Sequence, residues 1–600
     1  MSIYFLRTLV SALVFLTLPV AGQEPSLLEA PLPPLVPWTG ASEALIVKRS
    51  DPWITPAEVD GLKSTPGYAE TRAFAEKLVA ASPLLRLEIF GRTPQGRELF
   101  AIIARKGGTA KKPVLLAQAG IHSGEIDGKD AGLMLLRDIA FRGKSALLDK
   151  ADFLFVPIFN ADGHERSSPY SRPNQRGPIS QGWRTTAQNL NLNRDYLKAD
   201  SPEMQAMIAL IRKYDPALYL DLHVTDGIDH QYDVAYAFSG WNGFYAQSPA
   251  IGRWLDRRFR STVDTALKAA GHTPGYYVSA VDNENPDIGM VHDPDTPRFS
   301  TGYADHRRIP AVLVETHSLK PYRQRVLGTY ILVEAALRLV GEDGPAIGAA
   351  IAEDRAARPA RMTLSWKPLE APIYQIDFLG IAHDRYPSAA AGGPVIRWLG
   401  KPVKQRMNVF GFAPDFVAEL PKAWWVPPTA PDVIARLMLH GIEMETIGAA
   451  KTLQLDMVRI VDPKLGTANE GRIPLTAGAF RHELLQETFP PGSVRVPSDQ
   501  PLGLLAAALL EPESLDGVLA WNFFPGMLQR TEYMESYAIA PLADRMLAAD
   551  PQLKAAFEAK LAADPAFAKN TTARLQWFYE RTRYYDSRYL LYPIGRELAR

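Results

Sequence analysis

Residues 114–125 read Val114-Leu115-Leu116-Ala117-Gln118-Ala119-Gly120-Ile121-His122-Ser123-Gly124-Glu125. The apolar run from Val114 to Ala119, set off by Lys111-Lys112-Pro113 and broken by Gly120, is short for a helix and suits a strand buried on both faces. His122 and Glu125 then stand just past its carboxyl end, where open α/β sheets hold their ligands. Two N/O donors presented there can bind zinc, provided a third protein ligand fixes the ion and a position stays open to water. The spacing alone says little, because His440 and Glu443 repeat it in a stretch with no other sign of chemistry.

The flanking chain supplies the rest of a sheet. Residues 68–81 carry Phe74, Leu78 and Val79 at helical spacing and end before Pro83. Residues 85–90 and 98–104 read as strands joined through Gly91-Arg92-Thr93-Pro94-Gln95-Gly96, a hairpin signal. Then a helix over 129–140, a strand over 153–159, a helix over 202–213, a strand over 217–222 ending at His223, a strand over 311–314 ending at Glu315 and a helix over 325–339 alternate as in an α/β domain. Three strands thus deliver His122/Glu125, His223 and Glu315 at their carboxyl ends. That convergence outweighs any one residue.

Composition narrows the chemistry. Lysine plus arginine equal aspartate plus glutamate, 66 against 66, so no net field points to nucleic acid or an acidic membrane surface. Cysteine is absent, which excludes disulfides, thiolate catalysis and cysteine-ligated metal and leaves histidine and carboxylate as the ligands. Arg7, the apolar run from Leu9 to Val20, and Ala21-Gly22 have the layout of a cleaved secretory signal over 1–22, with the mature chain starting near Gln23. A proline-rich lead-in over 23–50 precedes the α/β domain, expected over 51–344. Residues 345–600 change texture and are expected to be β-rich to about 500 and helical thereafter. There, His440 reads as a last-turn histidine facing a helix dipole. His482-Glu483 lacks the second histidine of a zinc-protease helix. Asp550-Pro551 and Asp564-Pro565 each read as an N-cap followed by the first helical residue.

From about Tyr68 to Leu339 the sequence resembles the zinc carboxypeptidases, the carboxypeptidase A-like metallopeptidases. The resemblance rests on His122-Ser123-Gly124-Glu125, on Trp183-Arg184, on Asn193-Arg194 within Asn191-Leu192-Asn193-Arg194-Asp195, on His223 after Leu220-Asp221-Leu222, and on Glu315 in Val314-Glu315-Thr316. It implies a mixed, mostly parallel sheet flanked by helices and one Zn2+ held by His122, Glu125 and His223. Glu315 is implied as the base that activates a zinc-bound water, Arg184 as the group that polarises the scissile carbonyl, and Asn193 and Arg194 as the grip on a peptide's terminal carboxylate. Tyr303 and Tyr322 are candidates for the family's mobile substrate-binding tyrosine, with Tyr303 preferred. Two departures stand out. Ser123-Gly124 lacks an arginine that better-known members carry inside the first motif, and Asn191 stands where they often have an aspartate that orients a zinc histidine. The expected function is an exported, periplasmic or secreted zinc carboxypeptidase acting on peptides, cell-wall peptides among them, with no nucleic acid partner and no membrane attachment after signal cleavage. A zinc amidase or deacylase of N-acyl amino acids, and a non-catalytic peptide-binding protein on the same scaffold, remain open as alternatives.

Overall fold

The computed structural model describes residues 32–108, 111–277 and 279–598. The predicted leader over 1–22 and the start of the proline-rich stretch lie outside them. Among the described residues, eight strands make the main sheet: β1 (Leu85–Arg92), β2 (Glu98–Ala104), β3 (Val114–Ala119), β4 (Asp152–Val156), β5 (Leu218–Thr225), β6 (Val234–Ala237), β7 (Pro274–Tyr276) and β8 (Ala311–His317), in the spatial order β1-β2-β4-β3-β5-β8-β6-β7. The central pairs β4/β3, β3/β5 and β5/β8 are parallel, whereas β1/β2, β2/β4 and β8/β6 are antiparallel. Helices α1 (Tyr68–Ala81), α2 (Asp127–Phe141), α3 (Pro202–Tyr214), α4 (Arg260–Ala269) and α5 (Tyr322–Glu342) flank the sheet. This is a mixed α/β architecture. β5 and β8 run on past His223 and Glu315, so both residues project from strands rather than from the loops after them.

Every residue of β3 is buried, and burial of both faces of a strand explains why the run is apolar but for Gln118, whose amide donates to Asp221 at 3.0 Å. Leu115, Ala117 and Ala119 pack with Leu133 and Leu136 of α2 and with Val326 and Val333 of α5. Val114 and Leu116 point the other way, into a core shared with Met204, Met207 and Ile208 of α3. That second core continues into the C-terminal region through Trp424, Val433, Leu437 and Leu505, so residues beyond 400 form part of the cover over the main sheet.

The C-terminal region itself holds a long hairpin of Tyr374–Ser388 with Gly393–Phe410, which pairs with Met290–Val291. A six-stranded sheet follows, in which Gly595–Glu597 lies between Ala423–Val426 and Lys451–Val461. Helices from Ser536 to Tyr579 close on Phe557, Phe567 and Phe578. The Asp550 carboxylate accepts from the backbone N–H groups of Gln552 and Leu553, and that of Asp564 from Phe567, as N-caps do. His482 lies in strand Ala479–Phe489, between Asp456 (2.9 Å) and Glu513 (3.1 Å), a setting unlike a zinc-binding helix. His440 does end a helix, Pro431–His440, but the dipole reading fails. The ring is fully buried and burial pushes its pKa down to about 3. It is a neutral bridge: Nε2–H donates to the Leu197 carbonyl at 2.8 Å and Nδ1 accepts from the Tyr303 hydroxyl at 3.0 Å. Among the described residues no helix is long and apolar enough to cross a membrane.

One buried ion pair ties α2 to α5, the helix beside it on the same face of the sheet, and to β8. The Asp127 carboxylate accepts from Arg325 Nε at 2.8 Å and from the Thr316 hydroxyl at 2.6 Å. Arg325, fully buried, also donates to the carbonyls of Arg176, Gly177, Ser318 and Lys320. Removing one partner of such a pair strands the other in a low-dielectric setting, at a cost of about 3–5 kcal/mol. Arg325→Met is therefore expected to lower the unfolding free energy of the first urea transition by an amount in that range, read as a lower midpoint. A midpoint within error of wild type would show that this pair does not tie the two elements.

Candidate active site

The chain leaves β3 through Gly120, whose φ of 70° lies in the left-handed region. A Cβ there would also come within 2.9 Å of Ile126 Cδ1. Beyond it, Glu125 N–H donates to the His122 carbonyl at 2.9 Å, a turn that points both side chains the same way. His223, on β5, sits in register with Glu315 on the neighbouring parallel β8. Glu125 Oε2 lies 3.2 Å from His122 Nδ1 and 3.0 Å from His223 Nδ1, and one ligand atom from each of the three residues falls within 4.8 Å of the others. All three side chains are buried.

The remaining ring nitrogens show what this cluster is built for. His122 Nε2 lies 3.0 Å from Asn191 Oδ1, and the same oxygen accepts from Asn193 N–H. Asn191 therefore presents an acceptor, His122 Nε2 carries the proton, and Nδ1 turns a lone pair towards Glu125. His223 Nε2 lies 2.9 Å from Asp221 Oδ2, off the line a good hydrogen bond needs. Burial opposes charge on His223, yet Asp221 and then Glu125 drive its pKa well above the ordinary value. Burial lowers that of His122. Two imidazole nitrogens and a carboxylate converging in this way fit a divalent metal with nitrogen and oxygen ligands, and acceptors on the far side of the rings orient them for it. The amide of Asn191 thus takes the place of the expected aspartate. Its own backbone N–H donates to Glu470 at 2.8 Å, a contact from the C-terminal region.

Glu125 is held from its other side by two arginines, Arg172 at 2.9 Å and Arg184 at 3.2 Å from Oε1. Burial alone would raise its pKa, but His122 and Arg172 outweigh it and keep the carboxyl well below its usual range. Arg172 is absent from the sequence-based candidates. Its place explains the Ser123-Gly124 departure: a Cβ on Gly124 would meet Arg172 Cγ at 2.6 Å, so a guanidinium from a distant loop fills the space beside the first motif. Gln175 fixes that loop, accepting from Arg172 Nε at 3.1 Å and donating to the Gly124 carbonyl at 2.9 Å.

A cavity of about 480 Å³ opens on this group and also takes in Glu315, Arg184, Asn193 and Arg194. Glu315 Oε2 is buried without a protein partner, and burial, opposed by His223, pushes the carboxyl up to about 8. Arg194 Nη1 donates to the Asn193 carbonyl at 2.7 Å, and its guanidinium lies 4.5 Å from the centre of the Phe299 ring. Among the described residues it has no carboxylate in salt-bridge range. The turn that carries it is braced by Asp195, which accepts from Lys198, Asp200 N and Ser201. The structure thus brings together seven of the predicted residues: His122, Glu125, Arg184, Asn193, Arg194, His223 and Glu315.

Tyr303 is the exception. It lies in helix Ser300–His306, 1% exposed, packed on Tyr196 and bonded through its hydroxyl to His440, outside the cavity. The assignment of Tyr303 to substrate binding is corrected on that ground. Tyr322 is equally buried, its hydroxyl 2.5 Å from Asp130. Tyrosines 245, 276 and 277 line the cavity instead.

The profile of the zinc carboxypeptidase family matches residues 71–239, a span that holds the three ligand candidates, Arg172, Arg184, Asn193 and Arg194. Residues 71–239 form a zinc carboxypeptidase domain. The zinc carboxypeptidases depend on zinc and act on peptides, and the chain is a hydrolase of the metallocarboxypeptidase class. Carboxypeptidase 2 of Trichophyton rubrum is 21% identical over 443 residues, covering 70% of this chain and 75% of that one. Carboxypeptidase 2 of Trichophyton equinum is 21% identical over 431 residues, covering 68% and 73%. Among solved structures, a metallo-carboxypeptidase from Burkholderia cenocepacia aligns with a TM-score of 0.35 at 21% identity, over 46% of this chain and 70% of its own.

In this zinc carboxypeptidase domain, Asn191→Ala removes the acceptor that fixes the His122 tautomer. It is expected to weaken zinc binding roughly 10- to 100-fold in a chelator competition, whereas His223→Ala should abolish stoichiometric zinc. Wild-type affinity in Asn191→Ala would show that the amide does not orient the ring.

Proposed function

We propose that this protein is an exported carboxypeptidase that holds one zinc ion through His122, Glu125 and His223 and removes C-terminal residues from peptides. One observation carries the reading. A ligand triad, an unpartnered carboxylate at Glu315 and a guanidinium without a carboxylate at Arg194 share one cavity. When bound, zinc supplies Lewis acidity towards the scissile carbonyl and the attacking water. Glu315 takes the proton of that water and returns one to the leaving amine; its buried setting favours a group that is repeatedly protonated and released. Arg184, on the cavity wall, is the cation available for the oxyanion that develops during attack. Arg194, planar and fork-shaped, grips the terminal carboxylate with Asn193 beside it. Export rests on the leader pattern of residues 7–22, and N-terminal sequencing of the mature protein from its native host should find a start near Gln23.

Glu315→Gln is expected to keep stoichiometric zinc while losing roughly 100- to 10,000-fold in kcat on peptides. Near-normal turnover by this variant would remove Glu315 from the mechanism. Amidation of the substrate's C-terminus is expected to abolish cleavage, and equal cleavage of free and amidated peptides would replace the exopeptidase reading with an amidase or endopeptidase one.

A further inference from the structure

A second cleft, of about 390 Å³, opens in the C-terminal region, and its lining has no residue in common with that of the catalytic cavity. Its walls come from strands Lys451–Val461 and Ala479–Phe489, from residues 474–477 and from residues 512–521. The volume suits a small organic molecule. Ile460, Leu475, Phe480, Leu515, Leu519 and Trp521 supply the apolar surface. Ile460, Leu475 and Leu519 are buried, whereas Leu515 is 53% exposed, so an apolar occupant would cover surface that water now meets.

The charged and hydroxyl groups of this lining are already spent. Arg298 donates to Asp516 and to the Leu515 carbonyl, and Glu513 lies 3.1 Å from His482. The Ser514 hydroxyl donates to the Ala508 carbonyl at 2.6 Å and that of Thr476 to the Lys464 carbonyl at 3.4 Å. Asn469 is exposed and meets water. Trp521 differs from all of these. The residue is 3% exposed, yet its buried indole N–H has no acceptor among the described residues. The ring is also held in place: Lys198 Nζ lies 5.5 Å and the Arg298 guanidinium 5.2 Å from it. Both cations are anchored in turn, by Asp195 and Asp516.

A buried donor without an acceptor is costly and calls for a partner. Because every charge on the lining is matched, an ionic ligand would lose its hydration here and gain no counter-charge. The features left over are an apolar wall and one fixed N–H donor. We propose that this cleft binds a neutral, largely apolar molecule through a carbonyl group that accepts from the Trp521 indole N–H. The site is independent of the zinc chemistry.

The test uses the zinc-loaded full chain with nitrogen-15 in its tryptophan indoles, titrated with three probes on one carbon skeleton. Benzylacetone carries the carbonyl, butylbenzene has no acceptor, and phenylbutylammonium is charged. The indole resonance missing from the Trp521→Phe spectrum is expected to move downfield with benzylacetone. Benzylacetone should also bind roughly 3- to 10-fold more tightly than either other probe. Trp521→Phe should erase its advantage over butylbenzene, and Ala477→Phe, which narrows the cleft, should weaken both by roughly 10-fold. Unchanged positions of the other indole resonances show that each variant folds, and the order of the three probes on the wild type needs no variant. A Trp521 resonance that stays in place, an advantage of benzylacetone that persists in Trp521→Phe, or equal binding of phenylbutylammonium would each overturn the site.

Discussion

The Asp127 carboxylate is the constraint on which the rest of the site depends. It lies two residues beyond Glu125 and accepts from Thr316, the residue after Glu315. One buried anion therefore sets the distance between the turn that carries Glu125 and the strand that carries Glu315. Arg325 neutralises that anion and spends its remaining donors on carbonyls of the segments at 176–177 and 318–320. The sheet supplies the other alignment, since parallel pairing of β5 and β8 places His223 beside Glu315. Together a ladder and an ion pair locate four side chains that are widely separated along the chain.

Electrostatic opposition runs through the whole cavity. Glu125 faces two imidazoles on one oxygen and two guanidiniums on the other, so it stays ionised in spite of burial. Glu315, in the same cavity, has no such company and is driven the opposite way. Two glutamates on one lining thus acquire opposite tendencies from their neighbours: Glu125 is held towards the charged form and Glu315 towards the neutral one.

Much of this was legible in the sequence because it lies on regular elements. The strands ending near His122, His223 and Glu315 show as apolar runs with polar stops, and their convergence follows from α/β alternation. Arg172 was not legible. It sits in a loop without periodicity, and its relation to Gly124 exists only once the loop folds back on the first motif. Tyr303 misled because Ser300 to His306 is rich in polar residues and gives no hint that His440, from a distant helix, caps its hydroxyl in the core. The second cover over β3 was hidden for a related reason. Apolar runs such as Ala423 to Val426 announce burial without naming the surface they bury.

The placement of strand Gly595–Glu597 between Ala423–Val426 and Lys451–Val461 bears on how the enzyme comes into being. Glu470 reaches Asn191 and helix Pro431–His440 supports Leu197 and Tyr303, so the turn that presents Asn193 and Arg194 leans on residues from the C-terminal region. Contacts of such long sequence separation form slowly. A chain that already contains every residue of the cavity would still lack the support behind Asn193 and Arg194. The Asn193–Arg194 turn thereby takes its final support only once two stretches 279 residues apart along the chain have met.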